Sequence, residues 1–111
     1  FLDSFTGEGI AYAIRSGQIA AEVISGSLLS GRHPKAQGEY QTLCEKEFGS
    51  NLRYSLFLAR IMHRFPGIFF RLLASHQEVI DNFAKVATAQ WSYGHYLRWL
   101  IPRLPGYLLQ R

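Results

Sequence analysis

The sequence of 111 residues contains a single cysteine, Cys44. One thiol cannot form an intramolecular disulfide, so the sequence does not require an oxidising compartment. The sequence also lacks an uncharged apolar run of the roughly 18 residues that a membrane-spanning helix needs. Its most apolar stretch, residues 68–74, is interrupted by Arg71. These absences exclude a disulfide-stabilised scaffold and give no sign of a helix that spans a membrane.

The sequence does not begin with methionine and has no basic, apolar leader. It opens on Phe-Leu-Asp-Ser, just before a motif with two glycines. A start of this kind is typical of a segment of a longer protein, and it predicts no signal peptide. We therefore expect the sequence to be part of a larger protein.

Acidic residues are scarce in the second half of the sequence. Residues 56–111 carry seven cations and two anions, whereas residues 1–55 carry five cations and six anions. A basic half rich in aromatic residues is compatible with an anionic membrane surface or an acidic partner. A solvated basic face explains the same excess of charge. Hydrophobic residues make up 48% of the sequence and charged residues 18%, which predicts a folded domain rather than a disordered chain.

A stripe of apolar and small residues near the start recurs with helical spacing rather than strand alternation. Its members are Ile10, Ile14, Gly17, Ala20, Ala21, Ile24 and Leu28. We predict that Thr6 caps this helix and that Glu8 lies in its first turn. Gly26 and Gly31 mark the predicted end. The small residues allow a neighbouring element to approach closely, so in an isolated segment the stripe is expected to be exposed or to pair with a second copy.

A long second helix is predicted over residues 34–65. Pro34 suits a helix start, and Pro66 excludes helical geometry at the residue before it. Gly49 is expected to bend this helix, because glycine inside a helix costs about 1 kcal/mol. Cys44 lies on the apolar stripe of the helix, and we therefore expect a buried, unreactive thiol rather than a nucleophile.

Three shorter helices complete the prediction. The first covers residues 66–74, and the second opens with a capping box over residues 75–78. Ser92 is expected to cap the last helix, which Pro102 stops. With short linkers and no credible strand, the sequence predicts an all-α bundle of four to five helices.

The segment that points to chemistry is Phe5-Thr6-Gly7-Glu8-Gly9-Ile10. Its two glycines flank an acidic residue at the start of the first helix, where glycine lets the backbone approach a ligand closely. The first N–H groups of a helix lack intrahelical partners, and together with the helix dipole they form a site for negative charge. An anionic or electron-accepting cofactor fits this arrangement. A Gly-x-Gly triplet alone is also compatible with a plain turn, so the interpretation depends on the longer segment.

The longer segment adds small residues with Ser-Gly and then Ala-Ala-Glu, and it resembles the C-terminal flavin-contact segment of the geranylgeranyl reductase family. That family is a branch of the FAD-dependent oxidoreductases with a fold like p-hydroxybenzoate hydroxylase. The resemblance covers residues 1–25 and continues more loosely over residues 47–53. It implies that residues 1–31 form the flavin-facing loop and helix of a FAD-binding α/β domain, and that residues 32–111 form its C-terminal helical domain.

The resemblance implies FAD as the cofactor of the whole protein. The residues implied to bind it are Thr6, Gly7, Glu8, Gly9 and Ile10, with the backbone N–H groups of the last four facing the pyrimidine edge of the flavin. The implied reaction is reduction of carbon–carbon double bonds in a prenyl chain of a lipid or pigment, in the cytoplasm or at a membrane surface. No catalytic residue is identified by the resemblance.

The sequence also departs from the family pattern. The Gly-x-Gly-x-x-Gly fingerprint that holds the ADP half of FAD is absent, as is the Gly-Asp pair that normally precedes this segment. Ser4 stands where the family often has proline. We therefore expect the 111 residues alone to bind FAD very weakly and to be inactive as an enzyme.

Other kinds of site find little support in the sequence. No metal site is predicted, because the spacing of the histidines fits none. The histidines are His33, His63, His76 and His95. Arginines and phenylalanines interleave over residues 57–71, but at helical spacing they predict a solvated face and a core rather than a nucleic-acid surface. The Pro-x-x-Pro sequence at residues 102–105 is expected to end a helix rather than to bind a peptide-recognition domain.

Two other functions stay open from the sequence. The first is a helical interaction module, or a lipid-binding or membrane-surface module, with no redox activity. The second is a sister flavoprotein of the same fold, such as a monooxygenase or a halogenase. An apolar groove for an isoprenoid chain, or an apolar patch at a membrane surface, is compatible with the basic and aromatic second half.

Overall fold

The computed structural model describes residues 1–31 and 36–109, and every regular element in these ranges is helical. The α-helices are α1 (Ile10–Ser30), α2 (Ala36–Cys44), α3 (Ser50–Arg64), α4 (Pro66–Ser75), α5 (Gln77–Ala87), α6 (Tyr93–Leu100) and α7 (Leu104–Leu109). A π-helical turn, Glu45–Gly49, joins α2 to α3, and a 3₁₀ turn, Ile101–Arg103, joins α6 to α7. Counted as uninterrupted helical runs, the described residues form five, so the prediction of an all-α fold with four to five helices is confirmed.

The predicted end of α1 is correct, but its predicted cap is wrong. Gly31 ends the helix in the left-handed conformation, at φ 68°, whereas Gly26 lies inside the helix. The N-cap residue is Gly9, and no side chain caps the helix. Thr6 lies further upstream and instead accepts a hydrogen bond from the backbone N–H of Glu8, at 3.4 Å. Glu8 therefore precedes the first turn of α1 rather than lying within it.

The long helix predicted over residues 34–65 is continuous from Ala36 to Arg64, and its first two residues lie outside the described residues. The predicted bend takes the form of the π turn, which Gly49 closes. A Cβ atom at Gly49 would meet the Glu45 carboxylate, so a larger residue there would have to displace that flexible side chain. Phe65 leaves the helical conformation, at φ −135° and ψ 57°, because proline disfavours helical geometry at the residue before it.

Of the helix boundaries predicted towards the C-terminus, some are correct and others are wrong. Ser92 caps α6, because its hydroxyl accepts the backbone N–H of His95 at 3.1 Å. The predicted capping box is wrong, because Ser75 still belongs to α4 and the N-cap of α5 is the extended His76. Pro102 does not stop the last helical run. Pro102 lies in the first turn of the 3₁₀ segment, where the backbone N–H that proline lacks would have no intrahelical acceptor. Helix α7 follows directly.

The chain forms two compact units, Phe1–Arg53 and Tyr54–Arg111. In the N-terminal unit α1 packs against α2 around a core of Ile19, Val23, Cys44 and Phe48. Cys44 is therefore buried, as predicted, and it is a free thiol. The stripe predicted on α1 faces the other way, and its members Ile10, Ile14, Gly17, Ala21, Ile24 and Leu28 are exposed.

The C-terminal unit is built around α6, which buries five of its eight residues. The hydroxyl of Tyr96 donates to the carbonyl oxygen of Val79 on α5, at 3.3 Å, and burial raises the pKa of Tyr96 to about 12. Gly94 lies against the ring of Tyr54, where an added Cβ would stand 3.0 Å from the ring. These contacts fix α6 against its neighbours and leave the outer faces of α3 and α4 to the solvent.

Candidate functional site

The loop that leads into α1 is organised by Asp3, which is only 4% exposed. One carboxylate oxygen of Asp3 accepts the backbone N–H groups of Phe5 and Thr6, at 2.8 and 2.9 Å. The backbone of Asp3 closes the loop, because its carbonyl accepts from Gly7 at 2.9 Å and its N–H donates to Glu8 at 2.8 Å. The loop is thus a ring of internal hydrogen bonds around one acidic residue.

Asp3 lies outside the residues that the sequence predicts for the site, which centre on the two glycines. The sequence nevertheless carries a signal for this role of Asp3. An aspartate that opens a short loop commonly accepts hydrogen bonds from the N–H groups two and three residues further on, as in an Asx-turn. The ring forms with Ser4, rather than proline, as its second residue. The turn is therefore held by a side chain rather than by proline.

Glycine is needed at the two positions of the motif for different structural reasons. Gly7 has φ +75°, a conformation that residues with a Cβ rarely adopt. Gly9 instead packs against the start of the chain, since an added Cβ would lie 3.1 Å from the side chain of Leu2 and 3.4 Å from the carbonyl oxygen of Phe1. Gly7 permits the turn, and Gly9 permits the first two residues to pack against it.

We define the helix mouth as the turn at residues 6–10 together with the first free N–H groups of α1. Within the described residues, the backbone N–H groups of Ile10, Ala11 and Tyr12 have no hydrogen-bond acceptor, and Ala13 is the first to donate into the helix, to Gly9 at 2.8 Å. The five predicted site residues lie together in this turn, and all but Gly9 are exposed. The helix mouth predicted from the sequence is present and open to solvent. Two of the four N–H groups predicted to face a ligand are used within the loop, because Gly7 donates to the Asp3 carbonyl and Glu8 to the Thr6 hydroxyl.

The donors at the helix mouth suit one kind of ligand better than others. They are neutral N–H groups at the positive end of a 21-residue helix. The side chain at the turn, Glu8, is acidic, and the cation on the next turn, Arg15, is bound to Glu47. A phosphate with two negative charges would meet Glu8 and find no free cation there. Carbonyl oxygens and ring nitrogens that take up a single negative charge fit the set, as at the pyrimidine edge of a flavin.

A salt bridge joins α1 to the π turn beside this site. The Nε and Nη2 groups of Arg15 both donate hydrogen bonds to the Glu47 carboxylate, the one from Nη2 at 2.9 Å. These hydrogen bonds lower the pKa of Glu47. Next to the salt bridge, the Tyr12 and Phe48 rings pack edge to face with centroids 5.5 Å apart. Arg15 and Glu47 lie 32 residues apart in the sequence, so no local pattern could have predicted their salt bridge.

The histidines and the cysteine have structural surroundings. His63 Nδ1 lies 2.7 Å from the Ala59 carbonyl oxygen, and the rings of His76 and His95 pack on Tyr107 and Trp91. His33 lies outside the described residues. Within residues 1–31 and 36–109, no group of three His, Cys, Asp or Glu side chains could hold a metal ion. In the same ranges, no helix has both the length and the apolar character to cross a membrane.

Each unit also contains a cleft among its described residues. A cleft of about 360 Å³ in the C-terminal unit is lined by Ile68, Arg71, Leu72, Ser75, His76, Tyr107 and Leu108. A more open cleft of about 380 Å³ in the N-terminal unit is lined by Phe1, Gln37, Tyr40, Gln41, Cys44 and Glu45. The first lining mixes apolar and polar groups, whereas the second is largely apolar.

Comparisons with known proteins add a relative of unknown activity. No family model matches the chain. An uncharacterized protein of Methanosarcina barkeri (strain Fusaro / DSM 804) is 36% identical over 81 residues, which are 71% of this chain and 20% of that protein. The chain therefore spans about a fifth of the length of the curated relative it matches. No solved structure matches.

Proposed function

We propose that this chain is the flavin-facing C-terminal part of a FAD-dependent oxidoreductase that reduces carbon–carbon double bonds in a prenyl chain. One observation carries the proposal: unpaired N–H groups open a helix directly after the Phe-Thr-Gly-Glu-Gly-Ile segment, which resembles the flavin contact of the geranylgeranyl reductases. The residues proposed to meet the flavin are Thr6, Gly7, Glu8, Gly9 and Ile10.

The proposed role of the chain is electrostatic. When bound, FAD supplies the hydride chemistry. The N–H groups of Ile10, Ala11 and Tyr12 present a positive dipole end to whatever negative charge develops beside them. The Asp3 ring holds the turn in place, so these donors need no rearrangement to meet it. Through them the chain would favour the reduced state of the cofactor without taking part in bond making.

The rest of the enzyme is proposed to lie in sequence beyond these 111 residues. Most FAD contacts, including those to its ADP half, need a fingerprint that this sequence lacks. The match to a fifth of a much longer relative supports a division of labour of this kind. The exposed apolar stripe of α1 supports it too, because such a face normally packs against another part of a protein. In the longer protein we expect a sheet to cover it.

The proposed substrate is a small molecule or lipid with a prenyl chain, and the proposed location is the cytoplasm or a membrane surface. A free thiol such as Cys44 is compatible with a reducing compartment, although its burial would protect it elsewhere. Turnover of a prenyl substrate by the longer protein would separate this proposal from its nearest rival. A sister monooxygenase or halogenase would consume oxygen and leave the double bonds in place.

The test removes one N–H from the helix mouth. Ile10 is the first residue of α1, where proline is tolerated, so Ile10→Pro deletes a donor while keeping the helix. Ile10→Ala is the matched control, because it removes the side chain and keeps the N–H. Gly9 is unsuitable, since a side chain there would first displace Leu2.

Both variants are made in the longer protein, and the flavin reduction potential is measured by anaerobic titration. We expect the proline variant to lie below the alanine variant by on the order of 10–20 mV, the equivalent of roughly 0.5–1 kcal/mol for a two-electron couple. Equal potentials would show that the helix mouth does not face the flavin. A longer protein that carries no flavin absorbance would refute the proposed function as a whole.

A further inference from the structure

Part of the chain is basic without any acidic residue to balance it. Residues 48–77 contain four arginines and no aspartate or glutamate. In the N-terminal unit, by contrast, Arg15 and Arg53 are each paired with a glutamate, Glu47 and Glu45. In the C-terminal unit, Arg60, Arg64 and Arg71 form no ion pair with any residue that the structure describes. Three cations of this unit therefore remain available to an outside anion.

The outer face of α3 carries apolar side chains between these cations. Ser55, Leu58 and Ala59 are buried and define the inward face of the helix. At 100° per residue, Phe57 and Ile61 lie on the opposite side, and so do Arg60 and Arg64. Phe57 is 48% exposed and Ile61 37%. Side chains opposite the core of a helix are normally polar, so this face needs a different explanation.

The same character continues on α4. Phe65, Ile68 and Phe70 are all half-exposed or more, with Phe70 at 62%. The Arg64 guanidinium lies over the Phe65 ring, 5.3 Å from its centroid, and so stands at the rim of the apolar patch. Arg71 lies one turn after Ile68. We call the outer side of α3, with the Phe65 ring that Arg64 covers, the arginine–phenylalanine face; its members are Phe57, Arg60, Ile61, Arg64 and Phe65.

We propose that the arginine–phenylalanine face docks the chain on an anionic phospholipid membrane. Apolar side chains interleaved with unpaired cations are the two features that hold a peripheral protein at a bilayer surface. The apolar members enter the boundary between headgroups and acyl chains, and the arginines meet lipid phosphates, which accept paired N–H donors well. The proposal concerns a different surface from the helix mouth and does not depend on the flavin.

A membrane fits this face better than nucleic acid does. Single-stranded nucleic acid binds through aromatic rings on which bases stack. Here Ile61, which cannot stack, lies between Phe57 and Phe65 in the sequence, and Phe65 is already covered by Arg64. An acidic protein would account for the arginines and leave the half-exposed aliphatic side chains without a role. A bilayer uses both kinds of side chain.

The test is sedimentation of the full chain with lipid vesicles. The vesicles are phosphatidylcholine alone, or phosphatidylcholine with phosphatidylglycerol. Arg60→Gln with Arg64→Gln removes two cations, and Phe57→Ser with Ile61→Ser removes the apolar contacts. All four side chains are exposed, so the fold is expected to survive. The matched control, Ile80→Ser with Arg98→Gln, changes the same residue types at exposed positions elsewhere in the C-terminal unit.

We expect binding to the anionic vesicles that weakens with salt, and a roughly 25-fold weaker affinity in the arginine variant, at about fivefold for each cation. The apolar variant should lose binding as well, and the control should keep it. The proposal is overturned by absent binding, by equal loss in the control, or by a chain that prefers RNA or duplex DNA to anionic vesicles.

A second measurement does not depend on affinity. Cys44 is buried, so a cysteine placed at Phe57 or at Ile80 can be labelled with a fluorophore that reports polarity. On anionic vesicles, the label at residue 57 should shift its emission to the blue, and the label at residue 80 should not. The opposite result would place a different face of the unit on the membrane.

Discussion

A buried aspartate, rather than the glycines, gives the turn before α1 its shape. One carboxylate oxygen of Asp3 serves two backbone N–H groups, those of Phe5 and Thr6. Glycine at residue 7 only permits the conformation, because freedom to adopt a turn is not the same as a force that holds it. The segment most suggestive of chemistry therefore depends on a residue outside it.

This assignment predicts the effect of replacing Asp3. Asp3→Ala leaves two N–H groups without their acceptor in a nearly buried place, and we expect it to lower the free energy of unfolding by about 1–3 kcal/mol. Asp3→Asn keeps an acceptor oxygen and should recover much of that loss. Urea unfolding followed by circular dichroism measures both, with Glu39→Ala as an exposed control. An alanine variant as stable as the wild type would mean that the turn holds without its carboxylate.

At the scale of elements, local chemistry predicted some boundaries and failed at others. Gly31, Pro66 and Ser92 act on the backbone within their own turn, so the sequence alone predicts where α1 ends, where α3 ends and where α6 begins. Thr6 and Ser75 have the right side chains for capping, but contacts elsewhere decide the helix start. Asp3 fixes the turn ahead of α1, and α4 simply continues through Ser75.

Contacts between elements were beyond the reach of any local pattern. The sequence predicted an apolar stripe on α1 but not which face α2 would cover, because Ile19 and Val23 recur with the same period as the exposed stripe. The position of the helix mouth was predicted, since it follows from glycine and from helix geometry. Its free N–H groups were predicted only in part, because those of Gly7 and Glu8 bond within the loop. Its supports, the Asp3 ring and the Arg15–Glu47 salt bridge, needed the structure.

The Arg15–Glu47 salt bridge predicts how the packing of α1 on the π turn responds to pH. The hydrogen bond from Arg15 lowers the pKa of Glu47 below its ordinary value. A carboxyl whose pKa is depressed by folding stabilises the fold above its unfolded pKa, and that stabilisation is lost as the pH falls through the folded value. Compared with Glu47→Gln, the wild type should be more stable near neutral pH and equally stable in strong acid.

Urea unfolding of both proteins at neutral and at strongly acidic pH measures this difference. Both partners are exposed, so raising the salt concentration at neutral pH should shrink the difference as well. Glu39→Gln, which removes an exposed glutamate on α2, serves as the matched control. A difference that persisted unchanged into acid would show that Glu47 acts through packing rather than through its charge.

For the molecule as a whole, the exposed stripe of α1 is the feature with the widest consequence. Its residues are placed symmetrically about the middle of the helix, with large side chains at both ends and Gly17 and Ala21 in the centre. Two antiparallel copies would therefore bring large against large and small against small. No charged residue belongs to the stripe, so nothing in it opposes such a pairing.

The 111-residue chain by itself is thus predicted to self-associate through α1. Ile14→Glu with Ile24→Glu should convert it to a monomer, because each pairing then buries a charge. Light scattering coupled to size-exclusion chromatography gives the mass of each species. Leu29→Glu changes a residue that is 91% exposed beside the stripe and should have no effect. A wild type that is monomeric at high concentration would contradict the pairing.

The hydrogen-bonded ring around Asp3 also affects how quickly the helix mouth can accept a ligand. A loop that became ordered only when its ligand bound would lose conformational entropy on binding. Here the loop closes on itself beforehand, and the donors it does not consume already point outward from α1. The turn is therefore preorganised for binding. We expect its association rate to be set by diffusion and orientation rather than by a slow rearrangement of the loop.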